Sequence, residues 1–223
     1  MKKSQKKDNT SMLIWTIQSF QVWEKLQRDG FIYGPGSDLA GLVDESWRWQ
    51  TAYEWMCEQM ERRIGTRPMP NKYPLWAWSQ WRDAAHRKPD LRSSGHLAPG
   101  TRGVRLACEI ADDQILLSDF MLWHHALNYW YLSLSQAEDE AFEAELALCG
   151  LTRTPSGPLS HPVFHQRVLD SWQRIFDLEL VGDPDWFGEE TREEKAIQGT
   201  FWRLSLDQVQ EVTVFTSRRP GVR

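Results

Sequence analysis

Thirteen tryptophans in a chain of 223 residues constrain the fold more than any other feature of this sequence. A Trp ring buries a wide apolar area and its N–H needs a hydrogen-bond partner, so each Trp is costly to place. Several of them lie beside polar side chains in short segments, at residues 14–18, 73–81, 116–124 and 198–202. This pattern predicts either an aromatic core or a pocket that stacks on flat ligands.

Length and composition indicate one globular domain. A chain with 41% hydrophobic and 26% charged residues can bury one core of ordinary size. We expect a basic, disordered tail over residues 1–11, a single domain over 12–218 and a short tail over 219–223. No apolar run approaches the ~20 residues that a membrane-spanning helix needs, so no membrane partner is predicted.

Charge and cysteine usage narrow the function classes and the compartment. The net charge of −5 argues against a general nucleic-acid binder, which needs a broad basic surface. The three cysteines are far apart and form no C-x-x-C pair, so we expect buried thiols in a reducing cytoplasm. No metal site is predicted, because the adjacent His124 and His125 would point about 100° apart on a helix. A local basic track remains in the sequence: Arg82, His86, Arg87, Lys88, Arg92 and Arg102.

Local patterns predict two helices and two strands in the first half. Residues 13–18 alternate and predict a strand, followed by Ser19 as the N-cap of a helix that ends at Gly30. A second helix is predicted over residues 46–64. Residues 73–81 alternate large aromatics with small or polar residues, which predicts a strand with two different faces. The loop 84–102 is long enough to be functional rather than a simple connection.

The second half mixes helices and strands without regular alternation. We expect a strand over residues 104–110, a short buried run over 115–117, and helices that begin at Asp119, Gln136 and Val163. Two strands, over residues 197–204 and 209–216, flank a turn. This order is not that of a doubly wound sheet. It predicts an α+β fold with a small, twisted, mainly antiparallel sheet system flanked by helices.

Four segments, read in order, resemble a bacterial family known as domain of unknown function 3841. They read W-T-I-Q at 15–18, K-Y-P-L-W-A-W at 72–78, L-L-S-D-F-x-x-W-H at 116–124 and Q-x-x-F-W at 198–202. K-P-D-L-R at 88–92 also fits that family. The resemblance spans residues 13–218 and implies a single domain, but it brings no established activity.

A more distant resemblance is to the ADP-ribosyltransferase fold, whose members use NAD. In the branch that modifies nucleic-acid bases, the first strand reads aromatic-His-x-Thr, and a helix ends at a Gly fourteen residues after the His. Here the segment at 15–18 stands at that place, and Gly30 lies fourteen residues after Thr16. That branch also carries a Gln-x-Glu strand start followed by a β-hairpin, where this chain has Gln198-Gly199-Thr200 and the strands after it.

The second resemblance implies NAD as cofactor and assigns roles to particular residues. The aromatic strand stands where that fold places a wall for nicotinamide, and Arg92 would pair with the pyrophosphate through its planar guanidinium. Thr16, Gln18 and Gln198 are expected to converge on one cleft. The implied cofactor-binding set is Trp15, Thr16, Gln18, Tyr73, Trp76, Trp78 and Arg92.

The acid of this site is left open by the sequence. Thr200 stands where the fold's catalytic Glu stabilises the positive charge that develops as nicotinamide leaves. A hydroxyl cannot supply that charge, so another acid would be needed, with Asp119, Glu109 or Glu211 as candidates. The implied catalytic residues are therefore Gln198 and Asp119.

The sequence supports two functions of different classes. The first is an ADP-ribosyltransferase-like enzyme that uses NAD to modify a nucleic-acid base or a protein side chain, as a bacterial toxin or phage-defence effector. The acceptor would enter along the loop from Arg82 to Arg102. The second is a non-catalytic nucleotide-binding or protein-interaction module on the same fold. The geometry of Thr16, Gln198 and the 73–78 strand discriminates between them.

Overall fold

The computed structural model describes residues 10–36, 47–153 and 156–218. Most of the predicted basic tail and the predicted tail over 219–223 lie outside these residues. The described strands are β1 (Ser11–Ser19), β2 (Phe31–Tyr33), β3 (Leu75–Gln80), β4 (Arg102–Ala111), β5 (Leu116–Asp119), β6 (Ile197–Phe201), β7 (Arg203–Ser205) and β8 (Val209–Thr216). The described α-helices are α1 (Phe20–Asp29), α2 (Trp47–Arg63), α3 (Phe120–Leu127), α4 (Gln136–Leu148), α5 (Pro162–Ser171) and α6 (Pro184–Phe187).

The strands form one large and one small antiparallel sheet. The six-stranded sheet has the order β5-β6-β3-β1-β4-β8, and β2 pairs with β7 in the second sheet. Every registered strand pair is antiparallel. The predicted α+β class with an antiparallel sheet flanked by helices is therefore confirmed.

The first strand and helix form where the local sequence predicts them. Ser19 has extended backbone and its hydroxyl accepts a hydrogen bond from the N–H of Val22, so it caps the helix. Gly30 closes the helix with φ +76°, a left-handed conformation that glycine adopts without steric penalty, and its N–H donates to the carbonyl of Leu26. These two residues fix the direction in which α1 leaves the sheet.

The two faces of the large sheet pack against different cores, because successive side chains of a strand point to opposite sides. On one face α1, β2 and β7 cover an aliphatic core built on residues such as Ile14, Leu106 and Leu204. On the other face α2 to α5 pack an aromatic core that includes Trp55 and Trp172. We call these the aliphatic face and the aromatic face.

The C-terminal strands differ from the predicted arrangement. Residues 197–204 do not form one strand, because β6 stops at Phe201 and the chain crosses to the small sheet as β7. The strands β6 and β8 do not form a hairpin, since β6 lies between β5 and β3 whereas β8 pairs with β4 at the opposite edge. The helix predicted to begin at Val163 is present as α5, which ends at Ser171, and the chain then continues as a 3₁₀ helix over Trp172–Phe176.

None of the helices in the described part of the chain is long and apolar enough to cross a bilayer.

Candidate functional site

An elongated cleft lies on the aromatic face, and we call it the aromatic cleft. Two adjoining cavities of about 380 and 470 Å³ make it up. Each cavity has a size typical of small-molecule sites. Four residues line both cavities and form the middle of the cleft: Trp78, Gly95, His96 and Phe120.

The inner end of the cleft rests on the sheet and on two helices. Its further lining residues are Ile17 of β1, Tyr53 of α2, Trp76 and Ala77 of β3, Trp123 and Leu127 of α3, and Gln198 of β6. The outer end is formed by two loops together with the start of α3. Its further lining residues are Trp81, Arg82, Ser94, Met121, Glu190, Glu194 and Ala196.

Trp78 and Phe120 form an aromatic corner in the middle of the cleft. Their ring centroids are 4.7 Å apart at an interplanar angle of 63°. Phe120 is the first residue of α3, and Asp119 before it caps that helix, so the cap sets where the Phe ring enters the cleft. A flat ligand that enters here meets an indole face beside a phenyl ring, the surroundings that favour stacking.

Trp76 lies deeper and is engaged by its neighbours. Its ring contacts Tyr53 and Trp123, with centroid distances of 5.8 and 5.2 Å. Its indole Nε1 is shielded from solvent and has no hydrogen-bond partner among the described residues. An unsatisfied buried donor destabilises a protein by roughly 1–3 kcal/mol.

Gln198 lines the inner end, as the sequence predicted for a site residue. Its register partner on β3 is Trp78 and its partner on β5 is Ser118, so all three share the aromatic face. The carboxamide Nε2 donates to the Ser118 hydroxyl at 3.3 Å. Thr200, two residues later, is fully buried and donates to the Leu116 carbonyl. Its hydroxyl is therefore not available to a ligand.

Thr16 and Gln18 lie on the opposite face from Gln198. Trp15 pairs with Trp78, so the pleat turns the next residue, Thr16, towards the aliphatic face. Thr16 is 0% exposed; its hydroxyl donates to the Trp76 carbonyl at 2.8 Å and accepts from Gln18 Nε2 at 2.8 Å. The expected convergence of Thr16 and Gln18 with Gln198 is therefore wrong. Neither side chain lines the cleft: the Thr16 hydroxyl ties β1 to β3, and Gln18 donates to that hydroxyl from the same strand.

Trp15 and Tyr73 are packing residues in this structure. Trp15 is buried, and the guanidinium of Arg87 lies 5.7 Å from its ring. The Tyr73 hydroxyl donates to Glu54 at 2.6 Å, and burial together with that carboxylate raises the pKa of Tyr73 to about 12. Neither ring lines the aromatic cleft.

Asp119 performs a structural task beside the cleft. One carboxylate oxygen accepts from the N–H groups of Met121 and Leu122, and the other lies 3.9 Å from the Lys195 ammonium. Burial raises the pKa of Asp119, although these N–H groups and Lys195 favour its charged form. Asp119 and Lys195 line a smaller cavity of about 210 Å³, which shares Met121 and Glu190 with the outer end of the aromatic cleft.

The two other candidate acids are also outside the cleft. Glu109 accepts a hydrogen bond from the Ser11 hydroxyl at the surface. Glu211 accepts from the ammonium of Lys88, which lowers the pKa of Glu211. The structure thus brings none of the three sequence-named acids to Gln198.

Part of the basic track is paired with neighbouring carboxylates. Arg92 is exposed and held by Asp90, to which its Nε and Nη2 donate, so it does not line the cleft. Lys88 pairs with Glu211, and Arg87 donates to the Ser79 carbonyl. Arg82 is different, since it lines the cleft and forms no ion pair within 4 Å among the described residues.

Several cleft residues were missed by the sequence reasoning as site residues. The most important are His96, Phe120, Glu190 and Glu194. Phe120 had a signal, because it stands in the motif segment at 116–124. Glu190 and Glu194 belong to a loop without periodicity, so nothing in the local pattern places them beside β3. Over residues 10–36, 47–153 and 156–218, no group of three or more His, Cys, Asp or Glu side chains is arranged to hold a metal ion.

Comparison with known proteins shows the family. No curated protein matches the chain. No solved structure matches it either. One family model matches residues 13–210, which is most of the chain and includes every residue that lines the aromatic cleft. The chain belongs to the family described as Domain of unknown function (DUF3841).

Proposed function

We propose that the protein binds NAD, or a related nucleotide, in the aromatic cleft. The observation that carries this proposal is the meeting of Trp78, Phe120 and Gln198 at one cavity of ligand size. The rings offer a stacking surface, and the Gln198 carboxamide offers both a donor and an acceptor to the edge of a flat heterocycle. Stacking of a base on an aromatic side chain contributes roughly 1–3 kcal/mol, enough to make such a site useful.

Within this proposal, Trp78 rather than Trp76 is the stacking residue. Trp76 already packs against two aromatic rings and lines only the inner cavity, whereas Trp78 packs against Phe120 and lines both cavities. Arg82 takes the phosphate role that the sequence suggested for Arg92. Its guanidinium lies 4.4 Å from the Trp81 ring and keeps its in-plane donors free for phosphate oxygens.

Transfer of ADP-ribose is the activity that the fold resemblance adds to this binding site. In that reaction the bond between ribose C1′ and the nicotinamide nitrogen breaks, and its electron pair leaves with nicotinamide. An acceptor nucleophile on a nucleic acid or protein then bonds to C1′ and gives up its proton. Glu190 and Glu194 are the carboxylates that line the cleft and could stabilise the developing charge. A toxin or phage-defence role belongs to this version of the proposal.

Binding without turnover is the second candidate, and a specific observation favours it. The position of the expected catalytic Glu is held by Thr200, which is fully buried and hydrogen-bonded within the sheet. The cleft then serves as a nucleotide sensor or as part of an interaction module. Chromatography of NAD incubated with the protein distinguishes the two candidates, because only the transferase releases nicotinamide.

Isothermal titration calorimetry with NAD, ADP-ribose and ATP tests the binding proposal. We expect binding to the wild-type protein, and Trp78→Ala should weaken it about fivefold to a hundredfold because one stacking surface is lost. Trp186→Ala is a matched control, since Trp186 is an exposed Trp that does not line the cleft. The absence of heat with all three ligands at millimolar concentration would leave the protein-interaction module as the better interpretation.

A further inference from the structure

The outer end of the aromatic cleft combines aromatic walls with negative charge. Trp78, Trp81 and Phe120 line it together with the carboxylates of Glu190 and Glu194. Glu194 accepts hydrogen bonds from the N–H and the hydroxyl of Thr191, at 2.9 and 3.0 Å, which lowers its pKa. Its carboxylate is therefore ionised at neutral pH and held in one orientation.

The cations at this end do not balance the carboxylates. Among the described lining residues, Arg82 is the one basic side chain of the Lys or Arg type. Its guanidinium lies 4.4 Å from the centroid of the Trp81 ring. Two carboxylates thus line this end with one guanidinium that already rests on an aromatic ring. Lys195, in the adjoining cavity, is buried beside the Asp119 carboxylate and donates to the Leu178 carbonyl, so its charge is already engaged. The two carboxylates would repel an anionic group of a ligand placed deep in this end. They and the ring faces would attract a cation.

We infer that the outer end of the cleft selects a flat cationic ring, of the N-substituted pyridinium class. The inference rests on the proposed function and says which part of the ligand enters. The nicotinamide ring of oxidised NAD carries a positive charge, whereas adenine and the dihydronicotinamide ring of NADH are neutral. The nicotinamide end therefore lies between Trp78 and the two carboxylates, and the phosphates lie towards Arg82.

Two pairs of ligands test this charge selection by calorimetry. Oxidised NAD and NADH share every group except the charge and saturation of one ring. The 1-methylnicotinamide cation and neutral nicotinamide repeat the comparison without the adenosine diphosphate part. We expect oxidised NAD to bind about fivefold tighter than NADH, and the methylated cation to show the same preference over nicotinamide.

Amide variants locate the source of the preference. The double variant Glu190→Gln, Glu194→Gln keeps the shape of both exposed side chains and removes their charge, so it should lose most of the preference while it still binds NADH. Glu189→Gln is the matched control, because Glu189 is exposed in the same loop and does not line the cleft. Circular dichroism of all three proteins verifies that they are folded.

The outcomes separate this inference from the proposed function. Equal binding of oxidised NAD and NADH to the wild-type protein would overturn the cation inference and leave nucleotide binding intact. A preference for the methylated cation without any binding of NAD would support the inference and remove the proposed function. A preference that persists in the double variant would also overturn the inference, because the carboxylates would not be its source.

Discussion

The two faces of the large sheet are built by the same strands and differ in how completely they close. On the aliphatic face, branched side chains such as Ile14 and Leu106 are fully buried against α1 and the small sheet. On the aromatic face, Trp76 and Trp78 remain partly exposed, and the cleft opens between their rings and α3. Around Trp76 and Trp78 the rings meet their neighbours at steep or tilted angles and leave the cleft between them, whereas deeper in the same core Trp172 is fully buried.

This difference indicates that one face of the sheet mainly determines stability and the other provides the surface for binding. A residue on the aliphatic face contributes to stability and has no surface for a ligand. A residue at the cleft keeps surface for a ligand at a cost in packing, as Trp76 illustrates, whose Nε1 has no partner among the described residues. Substitutions on the two faces should therefore affect different measurements.

The largest expected effect is the loss of stability on the aliphatic face. Leu106 is 0% exposed in the central region of β4, so Leu106→Ala leaves a cavity and should reduce the free energy of unfolding by about 2–5 kcal/mol. Urea unfolding followed by tryptophan fluorescence measures it. Nucleotide affinity of the folded fraction should stay at the wild-type value. A change in affinity as large as that of Trp78→Ala would break the proposed separation of the two faces.

The next effect concerns the rim of the cleft. Arg82→Ala should weaken nucleotide binding about tenfold or more, because a charge-assisted contact with phosphate is lost, and should leave the unfolding midpoint nearly unchanged. Arg92→Ala is the matched control, since Arg92 is held by Asp90 and does not line the cleft. Calorimetry with ADP-ribose checks both variants. If Arg92→Ala has the larger effect, the phosphate position assigned to Arg82 is wrong.

The smallest expected effect is the contribution of Tyr73, on the aromatic face, to the pH dependence of stability. The pKa of Tyr73, in the aromatic core, is raised from 10.0 to about 12, so the folded state keeps the phenol proton that the unfolded state releases. The stability from this group is complete below about pH 10 and is lost as pH rises towards 12. Tyr73→Phe removes the hydrogen bond to Glu54 and should lower the free energy of unfolding at pH 8 by about 1 kcal/mol. The value is at the low end for a bond to a charged group, because the Glu54 side chain is half exposed and screened by solvent.

The same variant should lose less stability than the wild type between pH 8 and pH 11. Urea unfolding at the two pH values checks this difference. Equal losses in both proteins would show that Tyr73 does not contribute to the alkaline dependence. Ile110→Val, a conservative change on the aliphatic face, serves as a control that should leave the pH dependence unchanged.

The local elements could be predicted because their signals are short-range. Ser19 and Gly30 mark the ends of α1, and the alternation over residues 73–81 gives β3 its two faces. Strand pairing has no such signal. The crossing from β6 to β7 at Trp202 depends on contacts with β2, which is far away in sequence. The predicted hairpin rests on a local turn signal and on the resemblance, and neither determines which strands pair.

The site was predicted in part for the same reason. Trp78 and Gln198 share a face that alternation and a correct register determine. The resemblance places Thr16 in the cleft, but Thr16 follows Trp15, the residue that pairs with β3, so its side chain points to the opposite face. Glu190 and Glu194 come to the cleft through a loop, whose path depends on tertiary contacts and not on residue type.

The junction between β1 and β3 has a mechanical consequence. These strands share a single registered pair, Trp15 with Trp78. Next to it, the Thr16 hydroxyl donates a hydrogen bond to the Trp76 carbonyl. By contrast, β1 pairs with β4 along nine positions. The boundary between β5-β6-β3 and β1-β4-β8 thus has fewer registered pairs than the β1–β4 junction, and Ile17 and Trp78, on its two sides, line the aromatic cleft. Amide hydrogens along that boundary should exchange with solvent sooner than those between β1 and β4, and a ligand that contacts both Ile17 and Trp78 should slow this exchange.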